Sequence, residues 1–325
     1  MQTPDATSSM RLIVDLGGTN TRCALQASGD EPHVIRKVKN RRFDGLEAVL
    51  RQYLDDLPAE WRPATAALAV AAPISGDQVT LTNLGWQFSI EGLRVALGLE
   101  RLIVVNDFTA VAMALPWLPE DALLKIGPGE PVAGRALAVL GPGTGLGVSG
   151  LLPAGDKWIP LSGEGGHVTL PATDDREAAV IAMIRQRQGH VSAERLVSGG
   201  GLCNLYAALK SLSGGVVGDV TSPEKISRLA DSGDEIAQEA RALFFEFLGT
   251  VAGNLAMSLG SLGGVYIAGG IVPKLQEAFA ASAFREKFED KGRYRDYMLG
   301  IPTWLVTESV PAFRGLAAIL DERML

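Results

Sequence analysis

Three glycine-rich turns and one carboxylate at a strand end carry most of the chemistry this sequence can offer. Asp15-Leu16-Gly17-Gly18-Thr19-Asn20 closes the apolar run Arg11–Leu16. Successive amides in such a turn form a nest for anions, and Gly17 and Gly18 let a ligand approach the backbone closely. The Thr19 hydroxyl adds a donor, and Asp15, at the strand end, could face a hydrated Mg²⁺; the alternative is a plain β-hairpin with Asp at its edge. The device recurs 126 positions later, from Asp15 to Gly141, as Gly141-Pro142-Gly143-Thr144-Gly145 behind the apolar run Ala136–Leu140. Two such turns could clamp a polyphosphate from both sides. A third, Gly269-Gly270, follows Val265–Ala268 and would let a flat base or ribose lie against backbone.

Asn106-Asp107 ends one apolar strand and opens a helix. Asp107 can serve there as an N-cap. It can equally present a carboxylate at the carboxyl end of a strand, where open α/β sheets bind ligands, and take a proton from an attacking hydroxyl. Gly163-Glu164-Gly165-Gly166-His167 places an acid and an imidazole in a glycine loop. Of the three histidines, His33 begins a strand and His190 follows Gly189 at a helix end, where the helix dipole favours it. His167 is the one placed for ligand contact. Glu194, just after Ser192, reads either as a dipole-favoured residue in the first turn of a helix or as a ligand.

The elements that must position these residues alternate. Strands are expected at Arg11–Leu16, Thr21–Gln26, His33–Lys39, Thr65–Ala71 and Leu102–Val105. Helices are expected from Asp44, with Leu46, Val49, Leu50, Tyr53, Leu54 and Leu57 on one face, after the cap Ser89, and over Phe108–Leu115. The second half reads as strands at Ala136–Leu140 and Leu146–Leu152, then helices at Asp175–Gln188, Glu194–Leu212, Ser222–Asp231 and Glu235–Leu259. Strand and helix alternation is an α/β signature, and the repeated strand, glycine turn and strand points to duplication of an α/β half. The charged run Arg285–Arg295 reads as a solvated helix and turn.

Composition narrows the function classes. With 325 residues, 47% hydrophobic and 21% charged, the chain is long enough for about two domains. Thirty basic against 37 acidic side chains give a formal charge of −7, which argues against nucleic acid as the main partner. Two cysteines make neither a disulfide framework nor a zinc site. Met1–Met10 is polar and reads as a disordered leader, not a signal peptide. Gly249–Pro273 is uncharged and long enough to span a bilayer, but its seven glycines favour buried helix, turn and strand. No membrane is expected as a partner. No Gly-Lys dipeptide occurs, which excludes a Walker A loop. Gly145-Leu146-Gly147-Val148-Ser149-Gly150 matches a dinucleotide fingerprint but leads into a strand pattern where that motif needs a helix.

Taken together, Asp15–Asn20, Asn106–Ala110, Leu140–Gly147, Gly163–His167, His190–Arg195 and Ala268–Pro273 resemble the bacterial glucokinase family, the hexokinase branch of the actin-like ATPases. The resemblance runs from about Arg11 to the C-terminus. It implies a two-lobed α/β, ribonuclease H-like fold with residues 11–117 plus 308–325 as a small domain and 118–307 as a large one, nucleotide and sugar lying in the interdomain cleft. It implies an ATP- and Mg²⁺-dependent kinase acting on the 6-hydroxyl of glucose, in a cytoplasmic homodimer. Asp107 matches the catalytic base, and Asn106, Asp107, Glu164, His167 and Glu194 the sugar ligands, with Asn83 beside them. Asp15, Gly17, Gly18 and Thr19 match the first phosphate motif, Asp15 holding the metal through water. Gly143, Thr144 and Gly145 match the second, and Gly269 and Gly270 the adenosine motif. Ala312-Phe313-Arg314 departs from the family's usual Gly-Leu-Leu. Kinases of other hexoses and a non-catalytic actin-like nucleotide switch are the alternatives. The cluster Glu164, His167 and Glu194 separates the switch, which needs no sugar ligands.

Overall fold

The computed structural model describes residues 10–216 and 222–325. The expected leader lies outside the described residues except Met10, which is buried in the first core. The strands are β1 (Arg11–Leu16), β2 (Asn20–Gln26), β3 (His33–Lys39), β4 (Thr65–Val70), β5 (Gln78–Leu81), β6 (Trp86–Ser89), β7 (Arg101–Asn106), β8 (Leu123–Ile126), β9 (Leu137–Pro142), β10 (Leu146–Ala154), β11 (Lys157–Ser162), β12 (Gly264–Ile267) and β13 (Thr303–Val306). The helices are α1 (Leu46–Asp55), α2 (Ile90–Ala96), α3 (Asp107–Ala114), α4 (Asp175–Gln188), α5 (Gly199–Leu212), α6 (Pro223–Asp231), α7 (Glu235–Leu259), α8 (Gln276–Ala280), α9 (Phe284–Glu289), α10 (Arg295–Leu299) and α11 (Pro311–Leu320).

Two compact units share these elements. The first comprises residues up to Pro119 with Leu151–Ser162 and Val310–Leu325, and the second Glu120–Gly150 with Gly163–Ser309. In the first, a five-stranded sheet has the order β3-β2-β1-β4-β7. β1 and β2 form an antiparallel hairpin, while β4 and β7 run parallel to β1. Helix α3 leaves the end of β7 and packs on α11, and a Cβ on Gly315 of α11 would fall 1.7 Å from the Ala110 carbonyl oxygen. Only glycine lets the two backbones approach so closely. The leading apolar positions of α1 are buried as the helical spacing predicts, with Gly45 rather than Asp44 at the N-cap.

A second sheet has the order β11-β10-β9-β12-β13-β8, with β12 parallel to both β9 and β13. Both sheets thus run from a meander into parallel strands by the same order, which fits an internal duplication. The core of the second unit lies around α7, where Phe244, Phe245, Phe279, Phe284 and Phe288 are all buried. Helix α7 is long and apolar enough to cross a membrane, yet 56% of its most apolar window is buried inside the protein. Its Gly249 and Gly253 face α9 so closely that a Cβ would lie 2.2 and 2.6 Å from the Phe284 and Phe288 carbonyl oxygens. The glycines that weaken a membrane reading are here the contact surface for a second helix.

Two expectations need correction. Glu194–Leu212 is not one helix. A 3-10 turn, Ala193–Arg195, is separated from α5 because Ser198 caps the latter, its hydroxyl accepting from the Gly201 amide. The run Arg285–Arg295 is not uniformly solvated either. The Arg285 and Glu289 side chains are only 12% and 7% exposed and bond to each other, and Arg285 also donates to the Met298 and Ile301 carbonyls.

Candidate active site

Within the first unit, the β1–β2 hairpin presents the first phosphate turn. Gly17 N–H donates to the Asn20 carbonyl at 3.1 Å, while the amides of Gly18 and Thr19 make no hydrogen bond within the described protein. Gly18 and Thr19 are exposed, so these donors can receive an anion. Asn40 holds the turn in shape. Its Nδ2 donates to the Gly17 carbonyl at 2.8 Å, its Oδ1 accepts from the Thr21 hydroxyl at 2.7 Å, and its own N–H donates to the Thr19 carbonyl at 3.0 Å. Asn40 is 1% exposed. No local signal marks Asn40 in the sequence, because its role comes from a tertiary contact 20 residues beyond the turn. The Asp15 Oδ2 accepts from Arg22 at 2.7 Å, across the hairpin register that pairs these residues. Burial raises the Asp15 pKa, and the Arg22 guanidinium pulls it the other way.

The junction of β7 and α3 divides two roles that the sequence left open. Asn106, not Asp107, caps α3: its Oδ1 accepts from the Phe108 and Thr109 amides at 2.9 and 3.3 Å. Its Nδ2 donates to the Ala72 carbonyl at 3.4 Å. Asp107 is the first residue of the helix, half-buried, with Oδ1 accepting from the Phe108 amide at 2.9 Å. Asn83 lies in the exposed turn between β5 and β6, where Gly85 has φ +67°. It lines a cavity of about 410 Å³ with Gly18, Thr19 and Asn40, and neither Asn106 nor Asp107 lines that cavity.

Within the second unit, the remaining sugar residues gather around the start of β10. Glu164 and His167 are the ends of one 3-10 turn, with His167 Nε2 3.9 Å from Glu164 Oε2 and both side chains more than half exposed. The glycines between them are explained by contact: a Cβ on Gly166 would lie 2.1 Å from the Leu146 carbonyl oxygen. Glu194 lies in the neighbouring 3-10 turn, and its Oε2 accepts from the Leu146 amide at 2.9 Å. Thr169 and Ser192 bridge the two loops, and the Ala193 amide donates to the Val168 carbonyl at 2.9 Å. His190 adds a bond from Nε2 to the Thr169 hydroxyl at 2.8 Å.

The second phosphate turn leads directly into that strand. Gly143 N–H donates to the Gly145 carbonyl at 2.8 Å, and the Gly143 carbonyl accepts from Gly199, the first residue of α5, at 2.9 Å. The positive end of a 14-residue helix therefore abuts the turn. Thr144 is exposed, as are Gly269 and Gly270. Gly269 adopts φ +86°, and a Cβ there would lie 2.5 Å from the Pro142 carbonyl oxygen. Its residue type is fixed both by conformation and by contact with the phosphate turn. Glu164, His167, Glu194, Gly143–Gly145 and Gly269-Gly270 thus belong to one unit, and Asp15–Thr19, Asn83, Asn106 and Asp107 to the other.

Comparison with known proteins gives this geometry a family. The family model described as Glucokinase matches residues 12–323. The glucokinase of Nitrobacter hamburgensis is 46% identical over 95% of this chain and 97% of its own length. That of Paramagnetospirillum magneticum is 47% identical over 97% of this chain and 98% of its own. A crystal structure of a glucokinase from an Antarctic psychrotroph is similar at a TM-score of 0.88 and 36% identity, covering 97% of this chain and 99% of that one. The chain belongs to the glucokinase family.

Proposed function

We propose that this chain transfers the γ-phosphoryl group of ATP to the 6-hydroxyl of glucose, with Asp107 as the general base. The observation that carries the assignment of the base is the junction of β7 and α3, where Asn106 takes the capping role and Asp107 is left at the carboxyl end of a strand. Family membership supports the reaction. In the resemblance, one glucose draws ligands from Asn106 and Asp107 and from Glu164, His167 and Glu194. Side chains of these types suit a sugar, because each hydroxyl both donates and accepts. The Asn106 amide has its oxygen committed to the helix cap, so its Nδ2 donates to the sugar. His167, with the Glu164 carboxylate beside it, is the ligand able to donate or accept.

The amides of Gly18 and Thr19 and the turn Gly143–Gly145 would hold the phosphate chain, with adenosine against Gly269-Gly270. Asp15 suits outer-sphere contact with Mg²⁺, since Arg22 takes only its Oδ2 and the ion keeps several waters. Mg²⁺ held there would supply charge neutralisation along the phosphate chain. Asp107 accepts the 6-hydroxyl proton as that oxygen bonds the γ-phosphorus and the bond from phosphorus to the β–γ bridging oxygen breaks, releasing ADP; positioning together with charge neutralisation lowers the barrier. The same reading takes the enzyme as a cytoplasmic homodimer. The test is product identity. Glucose, mannose, fructose and N-acetylglucosamine are each supplied with ATP and Mg²⁺, and the sugar phosphate is identified by phosphorus NMR. Glucose 6-phosphate as the favoured product supports the proposal. A different favoured hexose, or nucleotide binding without sugar phosphorylation, contradicts it.

A further inference from the structure

A second cavity lies away from every residue placed at the candidate site. It encloses about 270 Å³ within the first unit, between the β2–β3 turn, the far end of α3 and the last turns of α11. Arg11 opens β1 and pairs with Gln26 in the hairpin register, so this end of the sheet is opposite the phosphate turn that follows Leu16. Asp107 is the first residue of α3, while Trp117 closes the 3-10 turn that continues the same helix. The cavity and Asp107 therefore stand at its two ends, and the eight residues of α3 alone span roughly 12 Å. The volume is just under the usual range of ligand sites, which selects a small molecule.

Its lining has an apolar wall and charges that do not all cancel. Phe313, Ala317 and Ala318 of α11 are buried along it, and the Trp117 indole beside them is 42% exposed. Phe313 and Arg314 belong to the segment that departs from the Gly-Leu-Leu pattern, so this ring is a feature of this chain. Glu31 is matched by Arg314 at 3.3 Å, and Asp321 by Arg11 and the Ser28 hydroxyl. Two groups remain unmatched. Asp30 has its backbone committed, its N–H donating to the Ala27 carbonyl and its carbonyl accepting from Gln26 Nε2, while its exposed carboxylate makes no bond among the described residues. The Arg323 guanidinium lies 5.5 Å over the Trp117 ring and has no ion-pair partner among the described residues. Stacking on the indole holds the fork flat and leaves its N–H edge open to a carboxylate. One carboxylate, one oriented guanidinium and two aromatic side chains call for a molecule that carries an ammonium, a carboxylate and a ring.

We infer that this cavity binds an aromatic α-amino acid as its zwitterion, with the carboxylate on Arg323, the ammonium on Asp30 and the ring against Phe313 and Trp117. No residue assigned to nucleotide or sugar takes part, and the inference does not depend on the proposed reaction.

The test is titration calorimetry on the full chain with phenylalanine and three truncated probes. 3-Phenylpropionate lacks the ammonium, phenethylamine lacks the carboxylate and alanine lacks the ring. Phenylalanine is expected to bind wild type, with each truncated probe about tenfold or more weaker, the worth of a hydrogen bond to a charged group. The variants then separate the two contacts. In Asp30→Asn, phenylalanine should bind no better than 3-phenylpropionate, and in Arg323→Gln no better than phenethylamine. Both side chains are exposed, and unchanged thermal midpoints verify that the variants fold. Glucose alone and ATP alone should leave the affinity for phenylalanine as it was. Absence of saturable phenylalanine binding to wild type overturns the inference. So does a truncated probe that binds as tightly, an affinity unchanged in both variants, or displacement by glucose or ATP, which would place the ligand in the other site.

Discussion

Lys287 is the side chain whose removal has the most readily worked consequence. It lies on α9 and reaches α4, where its Nζ donates to Glu177 Oε1 at 2.8 Å, Asp174 Oδ2 at 2.9 Å and the Thr173 hydroxyl at 2.8 Å. Glu177 is fully buried, and its other oxygen accepts from the Thr173 amide and hydroxyl at 2.6 and 2.9 Å. Three carboxylates, Asp174, Glu177 and Glu246, converge here as a metal site would require, but the ammonium already occupies two of them. Lys287→Met keeps the apolar stem and strips a buried carboxylate of the ammonium bonded to it. Removing one partner of a buried pair costs about 3–5 kcal/mol. That lowers the folded-to-unfolded ratio by roughly two to three and a half powers of ten and moves a urea midpoint down by about 1–2 M. The double variant Lys287→Met/Glu177→Gln removes the buried charge, leaves only the half-exposed Asp174 without its cation and preserves an acceptor for Thr173, so it should recover most of the loss. Urea unfolding followed by fluorescence and circular dichroism measures both. A single variant within about 0.3 M of wild type, or a double variant no better than the single, refutes the reasoning.

The same cluster predicts a pH response. Burial alone would lower the Lys287 pKa, but its bonds to Glu177 and Asp174 outweigh burial and raise it. Its stabilisation is therefore complete below the unfolded value of about 10.5 and is lost as pH rises through the higher folded value. Urea midpoints in this alkaline window should fall more steeply in wild type than in Lys287→Met. Asn40→Ala would leave the Gly17 carbonyl and the buried Thr21 hydroxyl without partners, at about 1–3 kcal/mol each. Steady-state kinetics should show KM for ATP rising about tenfold, with KM for glucose changed much less. Gly315→Ala would drive a methyl group into the Ala110 carbonyl, and rigid backbone cannot yield as a side-chain tip can. A loss of at least about 1–3 kcal/mol in thermal unfolding and a fall in kcat are expected, since α3 carries Asp107 at its first position.

Much of the fold was legible because its signals are local. The runs at β1 and β3, the Ser89 cap of α2 and the limits of α4 and α7 follow from apolar spacing and capping residues alone. The break between Glu194 and α5 was hidden because Ala193–Leu212 is rich in helix formers, and it depends on Ser198 capping the later segment. The burial of Arg285 and Glu289 was equally invisible, since a charge cluster looks solvated until tertiary contacts pair it. At the site, residue types and glycine turns pointed to phosphate and sugar chemistry. They did not show that Asn106 rather than Asp107 caps α3, that Asn40 clamps the phosphate turn, or that Glu194 bonds the Leu146 amide. Each of these depends on a partner distant in sequence or on a choice between neighbouring acceptors.

The central claim is that Asp107 takes the proton of the attacking hydroxyl. Its most direct test compares wild type with Asp107→Asn in an assay of glucose 6-phosphate formation, with ATP and glucose binding measured in parallel by calorimetry. Asparagine keeps the size and one acceptor oxygen but cannot act as the base. The account predicts kcat lower by about 10²–10⁴-fold, with both substrates bound within severalfold of wild-type affinity. A variant that retains most of its kcat, or one that loses turnover only because glucose no longer binds, would contradict it.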